Sequence, residues 1–350
     1  MEVRKKKVAV ALSGGVDSSV AALLLQQQGY EVVGLTGKMV NTPAADIVCE
    51  NARRVADKLG IKHYICDVSA NFQDKIIDYF ENSYSCGLTP NPCIMCNRFI
   101  KFGDLLDYAI NNLGADYYST GHYAQIVNDN GIYKLYPAKD TKKDQLYFLC
   151  RLNQEQISRL IFPLADLEKS QIRQIAIDTD LPPKSAKESQ DICFIEKPNT
   201  TKKYLTEKFG LKKGNFIDIK DGKKWGEHSG TYQYTIGQRK GIGIAAPYPL
   251  YVIDIDAKNN IVYLGREEDN YKTELTVDNV NLTYPINTTE FDAMVKIRYN
   301  MQAQKARVVL NGTCAQIKFY EPVNSITKGQ AGVFYDMTDG HLIGGGWVTS

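Results

Sequence analysis

Histidine is scarce in this chain, four residues in 350, and so is net charge, +2 from 42 Lys and Arg against 40 acidic residues. So even a balance excludes a broadly polybasic nucleic-acid binder, and any contact with a polyanion has to come from local clusters. Basic clusters occur at 4–7, 139–143, 212–213, 223–224 and 239–240; each taken alone reads as solvated surface. No apolar run approaches the roughly 20 residues that span a bilayer. The first residues enter a strand pattern at once and offer no secretory apolar region, so the expectation is a cytoplasmic protein with no membrane partner. Its eight cysteines, Cys49, Cys66, Cys86, Cys93, Cys96, Cys150, Cys193 and Cys314, are then expected as reduced thiols, any disulfide being catalytic. Internal repeats and low-complexity stretches are also lacking. At 43% hydrophobic and 23% charged residues, the chain is ordinary for a globular protein of two or three domains.

Against these absences stands one dense stretch. Val8-Ala9-Val10-Ala11-Leu12 is an apolar run of the kind found in a buried parallel strand. Ser13-Gly14-Gly15 forces a turn, and Val16, Val20, Leu23 and Leu24 then repeat at helical spacing up to Gly29. Asp17, Ser18 and Ser19 fall in the first turn of that helix, where unpaired N–H groups and the helix dipole make an anion site. The two serine hydroxyls add donors, and Asp17 is placed to hold a Mg²⁺ bridging phosphates. The Gly-Lys-Ser/Thr ending of a Walker A loop is missing. Ser-Gly-Gly-Val-Asp-Ser-Ser instead resembles the PP-loop of the ATP pyrophosphatases, which cleave ATP to AMP and pyrophosphate.

Strand and helix patterns alternate through residue 125, with strands expected at 6–12, 31–35, 62–66 and 117–120 and helices between them, the signature of a doubly wound α/β domain. The second strand ends at Leu35-Thr36-Gly37, where backbone could hold an adenine. Gly121 and His122 end the fourth strand on the same carboxyl edge, along which ligands collect. Further helices are expected at 153–161 and 168–178.

The cysteines are not spread evenly. Gly87-Leu88-Thr89-Pro90-Asn91-Pro92 is a stiff loop, and from Cys96 onward Phe99, Ile100, Leu105, Leu106 and Ala109 form a helical stripe. Cys93 and Cys96 thus sit at a helix start, where the dipole is expected to lower a thiol pKa. Packed cysteines or half of a Zn site are the alternatives; no second CxxC and no His pair follows at finger-like spacing. Cys193 lies between the polar Lys187-Glu188-Ser189-Gln190-Asp191 and an apolar run. From 205 short strands take over, at 214–220, 230–236, 250–256 and 260–264, with a mobile basic loop Gly237-Gln238-Arg239-Lys240-Gly241 among them. Six more strands, at 274–282, 293–298, 306–310, 314–320, 331–335 and 342–348, read as a small antiparallel barrel.

Read together, the PP-loop, Asn91-Pro92 with Cys96-Asn97 and Ile100-Lys101-Phe102, Thr120-Gly121-His122-Tyr123, Lys143-Asp144-Gln145 with Tyr147-Phe148-Leu149, Ile192-Cys193-Phe194-Ile195 and Thr235-Ile236-Gly237-Gln238-Arg239-Lys240-Gly241 resemble the bacterial tRNA-specific 2-thiouridylases over the full length. The resemblance implies an adenine nucleotide α-hydrolase-like domain (1–204), a small tRNA-contacting central domain (205–270) and a C-terminal β-barrel (271–350). It implies an ATP-dependent sulfurtransferase that converts the wobble uridine of tRNA for Lys, Glu and Gln to 2-thiouridine, with a sulfur-relay protein as persulfide donor. Cys96 is then the nucleophile and Cys193 the persulfide carrier, the two able to close a catalytic disulfide. Ala11, Leu12, Ser13, Gly14, Gly15, Val16, Asp17, Ser18, Gly37 and Gly121 match the ATP positions. Asn91, Pro92 and Cys93 match the target-base positions, and His122, Lys143, Asp144, Gln145, Arg298, Tyr299 and Gln330 the tRNA contacts. One departure stands out: many members carry Asp where this chain has Cys93. Cys93, Cys96 and Cys193 therefore also make the three-thiol set of a [4Fe–4S] cluster with one open iron. A non-enzymatic Zn-bearing RNA-binding module is the remaining alternative.

Overall fold

The first strand is apolar from Val8 to Ala11 because both its faces are covered. In the computed structural model, which describes residues 4–182, 192–196 and 198–350, β1 (Lys7–Ala11) lies between β2 (Glu31–Lys38) and β4 (Tyr117–Ser119), with β3 (His63–Asp67) and β7 (Leu160–Ile161) at the two edges. All four pairings are parallel. Val8 and Val10 pack with Val20 and Leu25 of α1 (Val16–Gln27) and Val55 of α2 (Pro43–Leu59). Ala9, Val33 and Leu35 face the other way, onto Ile100, Leu105 and Tyr118. The doubly wound sheet expected from the sequence is thereby realised. Its order reverses between β1 and β4, and that switch point opens a crevice at the carboxyl ends of the strands.

Two helices on the second face are each interrupted by a π-helical stretch. The first runs through α3 (Ser69–Phe72), Gln73–Ile77 in π geometry and α4 (Asp78–Ser85). The second runs through α5 (Pro92–Met95), a π stretch Cys96–Asp104 and α6 (Leu105–Asn111). Pro92 occupies N1, where its missing N–H costs nothing, and Asn91 caps Ile94 N–H. The helix expected at 153–161 is shorter: α7 (Gln154–Ser158) stops, and Leu160–Ile161 joins the sheet because Pro163 forbids helical continuation. A hairpin unforeseen in the sequence, β5 (Ala124–Asp129) with β6 (Ile132–Pro137), turns on Asn130-Gly131 with φ of 51° and 89°.

After α8 (Lys169–Asp178) and α9 (Thr201–Phe209), β8 (Gly214–Asp218), β9 (Lys224–His228), β10 (Tyr251–Asp256) and β11 (Ile261–Gly265) form a four-stranded sheet of order β10-β11-β8-β9. The strand expected at 230–236 is instead a 3₁₀ turn at Thr231–Gln233, made by the bonds Gln233 N–H to Gly230 O and Tyr234 N–H to Thr231 O. The C-terminal strands β12 (Tyr271–Leu282), β13 (Glu290–Lys296), β14 (Gln304–Asn311), β15 (Cys314–Asn324), β16 (Ala331–Tyr335) and β17 (Leu342–Val348) close into a barrel around Val277, Val295, Val308 and Phe334. No helix of the described residues is long and apolar enough to cross a membrane.

The barrel is tied to the α/β unit by directed bonds. Tyr147 donates to Ala331 O at 3.0 Å from a fully buried position, and Thr89 N–H donates to Lys328 O at 2.9 Å. A second tie joins α4 to α9: the buried Glu81 carboxylate accepts from Tyr204 at 2.7 Å and pairs with Lys208 at 2.8 Å. Phe194 packs edge-on against Phe80 and Phe72 in the same cluster, anchoring the turn that carries Cys193. Removing the Tyr147 hydroxyl leaves Ala331 O without its donor. Tyr147→Phe is expected to cost about 1 kcal/mol in chemical denaturation while leaving the circular dichroism spectrum unchanged.

Candidate active site

At the switch point, Gly14 takes φ +70° as expected, and the helix that follows has no side-chain N-cap, leaving its first N–H groups to an outside acceptor. The hydroxyls are less open than the sequence implies. Ser18 and Ser19 both donate to Gly15 O, at 3.1 and 2.8 Å, and Ser18 Oγ accepts from Ser13 N–H at 3.2 Å. They stitch the loop, and only Ser13 is exposed. Asp17 departs further from expectation. Its carboxylate is held by Lys169 Nζ at 2.6 and 2.7 Å and by the Tyr123 hydroxyl at 2.8 Å. A lysine, not an open coordination position, balances the charge where Mg²⁺ is expected.

Gly121 ends β4 directly against this loop: a Cβ there would lie 2.9 Å from Asp17 Cβ and from the Asp17–Ser18 backbone. Gly37 has a different reason for its identity. The space a side chain would take is filled by Leu105, 2.8 Å from the ideal Cβ, so this glycine admits α6 onto β2. His122 is buried rather than presented to solvent as a tRNA contact. It bonds Thr120 Oγ1 at 2.7 Å and packs on Phe102 and Phe162, and burial pushes its pKa well below 6.5, leaving a neutral ring.

Through Phe102 the phosphate loop adjoins the thiols. Cys93 and Cys193 reach solvent while Cys96 is 8% exposed, and all eight cysteines are free. Cys93, Cys96 and Cys193 stand close enough that charge on Cys93 or Cys193 raises Cys96, and charge on Cys93 raises Cys193. Two segments about 100 residues apart in sequence thus deliver their cysteines to one place. The helix start does not lower these thiols as expected. Desolvation dominates: it raises Cys93 and Cys193 and pushes Cys96 up to about 12, with Lys101 opposing at all three. Lys101 lay inside a quoted motif but drew no role from the sequence. Counted in α-helical turns from Cys96 it points elsewhere, and only the π stretch brings it round. The polar residues 187–191 that precede Cys193 lie outside the described residues. Among the described residues, the three-membered groups of His, Cys, Asp and Glu at metal-binding distances comprise only Asp336, Asp339 and His341. The two nitrogens of His341 already engage Asp339 and Tyr284, and the cysteine trio does not meet the spacing of a mononuclear Zn site.

Of the residues expected around the substrate, Arg298, Tyr299 and Gln330 line a cavity at the junction of the three units. Asn91 is spent as a helix cap, Pro92 is buried, and Cys93 is exposed beside them. That cavity, of about 600 Å³, is walled by Thr89 of the loop before α5, Thr235 and Ile236 of the central unit, and Arg298, Tyr299 and Gln330 of the barrel. Arg239 and Lys240, in the same loop as Thr235, are exposed. Gln330 donates to Thr89 O at 2.9 Å, so this expected tRNA contact also fixes the loop before α5. Tyr299 stacks on Phe148 at 4.5 Å and donates to Asp144 O. Gln145 Oε1 accepts from Tyr123 N–H, and the Asp144 oxygens accept from Ala138 and Leu146 N–H, so both side chains brace their own loop, with half-buried Lys143 beside them. The basic run 4–7 is occupied elsewhere: Arg4 and Lys6 pair with Asp116, and Lys7 with Glu31. Lys169, Lys101 and the Thr89 contact were invisible locally, because each depends on which distant segment folds against it.

Burial pushes Asp144 up to about 6, so the folded protein holds a proton there that the unfolded chain, with an ordinary carboxylate near 3.8, has lost. That contribution to stability is full below the unfolded pKa and disappears as pH rises through about 6. Asp144→Asn mimics the neutral form and is expected to gain stability on the parent as pH goes from 4 to 7, by up to about 2 kcal/mol, read as the difference in melting temperature across that series.

Comparison with known proteins agrees with this construction. Family models described as "tRNA methyl transferase HUP domain", "tRNA methyl transferase PRC-barrel domain" and "Aminomethyltransferase beta-barrel domain" match residues 6–197, 202–266 and 272–348. The chain is 43% identical to the tRNA-specific 2-thiouridylase MnmA of Carboxydothermus hydrogenoformans, over 99% of this chain and 98% of that one. It is 42% identical to the MnmA of Clostridium acetobutylicum, over 98% and 99%. At more than 40% identity over nearly the whole length of both relatives, the chain belongs to the tRNA-specific 2-thiouridylase family.

Proposed function

We propose that the protein is a cytoplasmic, ATP-dependent sulfurtransferase that converts the wobble uridine of tRNA for Lys, Glu and Gln to 2-thiouridine, taking sulfur from a persulfide-bearing relay protein. The observation that carries this reading is the convergence of Cys96 and Cys193 on one electrostatic neighbourhood beside the phosphate loop. Residues 1–204 act as the catalytic unit, 205–270 as a tRNA-contacting unit and 271–350 as the barrel that closes the site.

The uracil C2 oxygen is a poor leaving group, and transfer of AMP to it converts it to a good one. Pyrophosphate leaves into the loop of residues 13–18, whose N–H groups and helix dipole stabilise its charge. The terminal sulfur of a Cys193 persulfide then displaces AMP from C2. Cys96, as thiolate, attacks the Cys193 sulfur; the S–S electron pair goes to the sulfur on C2, and a Cys96–Cys193 disulfide forms for an external thiol to reduce. Asn91, Pro92 and Cys93 border the base, which has to leave the anticodon stack to reach them. Arg298, Tyr299 and Gln330 line the cavity that receives the surrounding tRNA. Mg²⁺ enters on the ATP phosphates, since both Asp17 oxygens are taken.

The three thiols also form a donor set that fits a [4Fe–4S] cluster, in which Cys93, Cys96 and Cys193 would hold three irons and a fourth would supply sulfide. Iron and acid-labile sulfide determination after anaerobic purification separates the two: the relay reading expects neither, the cluster about four irons per chain. With ATP, Mg²⁺, persulfide donor and tRNA, the protein is expected to form AMP and 2-thiouridine. Cys96→Ala and Cys193→Ala are expected to abolish the thionucleoside, and Cys93→Ala to retain it; loss in Cys93→Ala with loss of iron would transfer the sulfur to a cluster. Gly121→Ala pushes a methyl group into the Asp17–Ser18 backbone, and the expected result is at least about tenfold weaker binding of a non-hydrolysable ATP analogue by calorimetry.

A further inference from the structure

Loop 139–145, which carries the expected tRNA contacts Lys143, Asp144 and Gln145, reaches the phosphate loop along two hydrogen-bonded arms. In one, Tyr123 N–H donates to Gln145 Oε1 at 3.0 Å and Gln145 N–H donates back to Tyr123 O at 2.9 Å. The Tyr123 hydroxyl then donates to Asp17 Oδ1 at 2.8 Å. In the other, Asp140 Oδ2 accepts from Lys169 N–H at 3.0 Å, at the first residue of α8. The same lysine sends its ammonium to both Asp17 oxygens, at 2.6 and 2.7 Å. Tyr123 and Lys169 are 3% and 9% exposed, so both arms run through the interior, and both end on one carboxylate.

The outer side of the loop is open. Lys139 and Lys142 are exposed, and Lys142 and Asp144 join Lys296 and Tyr299 in the wall of a cavity of about 250 Å³. Tyr299 also walls the larger cavity at the junction of the units and donates to Asp144 O at 3.1 Å. A polyanion can therefore meet the ammonium groups of Lys139 and Lys142 while the Asp140 carboxylate and the Gln145 amide oxygen keep their inward bonds.

What the arms control is charge at the anion site. Asp17 lies in the first turn of α1, whose open N–H groups are offered to phosphate. A bare carboxylate there repels a phosphate a few ångströms away. One held by an ammonium and a hydroxyl is neutralised and lets the phosphate approach. Asp17 keeps both partners while Asp140 holds the start of α8 and Gln145 holds Tyr123.

We propose that Tyr123 and Lys169 are positioning residues for the ATP site, through which tRNA held on loop 139–145 strengthens nucleotide binding at the phosphate loop. The inference rests on the reading of the protein as an ATP-dependent tRNA enzyme and deepens it by naming the residues that join the sites of the two substrates. Because the two binding free energies are linked, nucleotide strengthens tRNA binding by the same factor.

The test is calorimetric titration of the full-length protein with a non-hydrolysable ATP analogue and Mg²⁺, with and without a saturating unmodified transcript of tRNA for Lys. In the parent, the transcript is expected to tighten nucleotide binding about tenfold. Tyr123→Phe removes only the hydroxyl on Asp17, and Asp140→Ala removes the acceptor at the start of α8. Each is expected to cut the factor to about threefold, and the two together to abolish it. A role confined to packing would weaken nucleotide binding equally with and without tRNA and leave the factor unchanged. Either single variant carries the reading should the other fail to fold. Nucleotide binding in the parent that does not respond to bound tRNA overturns the proposal. A full parental factor in the folded variants overturns it as well, by assigning the coupling to direct contact between nucleotide and base. A transcript that binds with the expected coupling but is never thiolated overturns the functional reading and leaves the coupling standing, whereas a transcript that does not bind overturns both.

Discussion

Sulfur transfer to a nucleoside needs thiols kept from water, and keeping them from water makes the thiolate expensive. That tension organises the molecule. Cys96 is buried in the core that Tyr118 of β4 and Phe102 of its own helix share, and desolvation outweighs the favourable end of the helix dipole. The fold answers with geometry: a π-helical stretch that carries Cys96, and a further cysteine delivered on a turn whose anchor, Phe194, packs on Phe72 and Phe80. Exposure is graded across the trio, from open Cys93 and Cys193 to enclosed Cys96. On the proposed roles, a relay protein would reach Cys193 from solvent while Cys96 stays sheltered.

The same economy governs the phosphate end. Loop hydroxyls and Asp17 are committed to internal partners, so the helix N–H groups are what the loop offers to pyrophosphate. Lys169, from α8, neutralises the acid and couples that helix to the loop. Gly121 and His122 then carry contact from the loop at Asp17 to Phe102 and the thiol helix, so the loop and the thiols share a wall. The barrel completes the enclosure through directed bonds, Thr89 N–H to Lys328 O and the Gln330 amide to Thr89 O, which set the loop that leads into Asn91 and Cys93.

Much of this was legible in the sequence. The apolar run 8–12, the Ser13-Gly14-Gly15 turn and the helical stripe after it gave the first βα unit; strand spacing after 271 gave the six-stranded barrel. The misreadings have physical causes. Residues 160–161 look helical until Pro163 is weighed, and 230–236 look like a strand because 3₁₀ bonding leaves no periodic signature over three residues. Asn130-Gly131 announced a hairpin that went unread. Helix-dipole reasoning about the cysteines failed since burial is a tertiary property. Lys101 and Lys169 stayed hidden for the same cause: a change of helical register and a contact between residues 17 and 169 leave no local trace.

The most direct measurement is the location of the transferable sulfur. Protein loaded by a persulfide donor under anaerobic conditions, then digested and analysed by mass spectrometry, should carry one extra sulfur atom on the peptide containing Cys193. Adding tRNA and ATP should discharge it, with the sulfur recovered in 2-thiouridine and a Cys96–Cys193 disulfide left behind. Sulfur found on another cysteine, or thiolation that tracks bound iron while Cys193 stays unmodified, would contradict the relay and move the chemistry elsewhere in the trio.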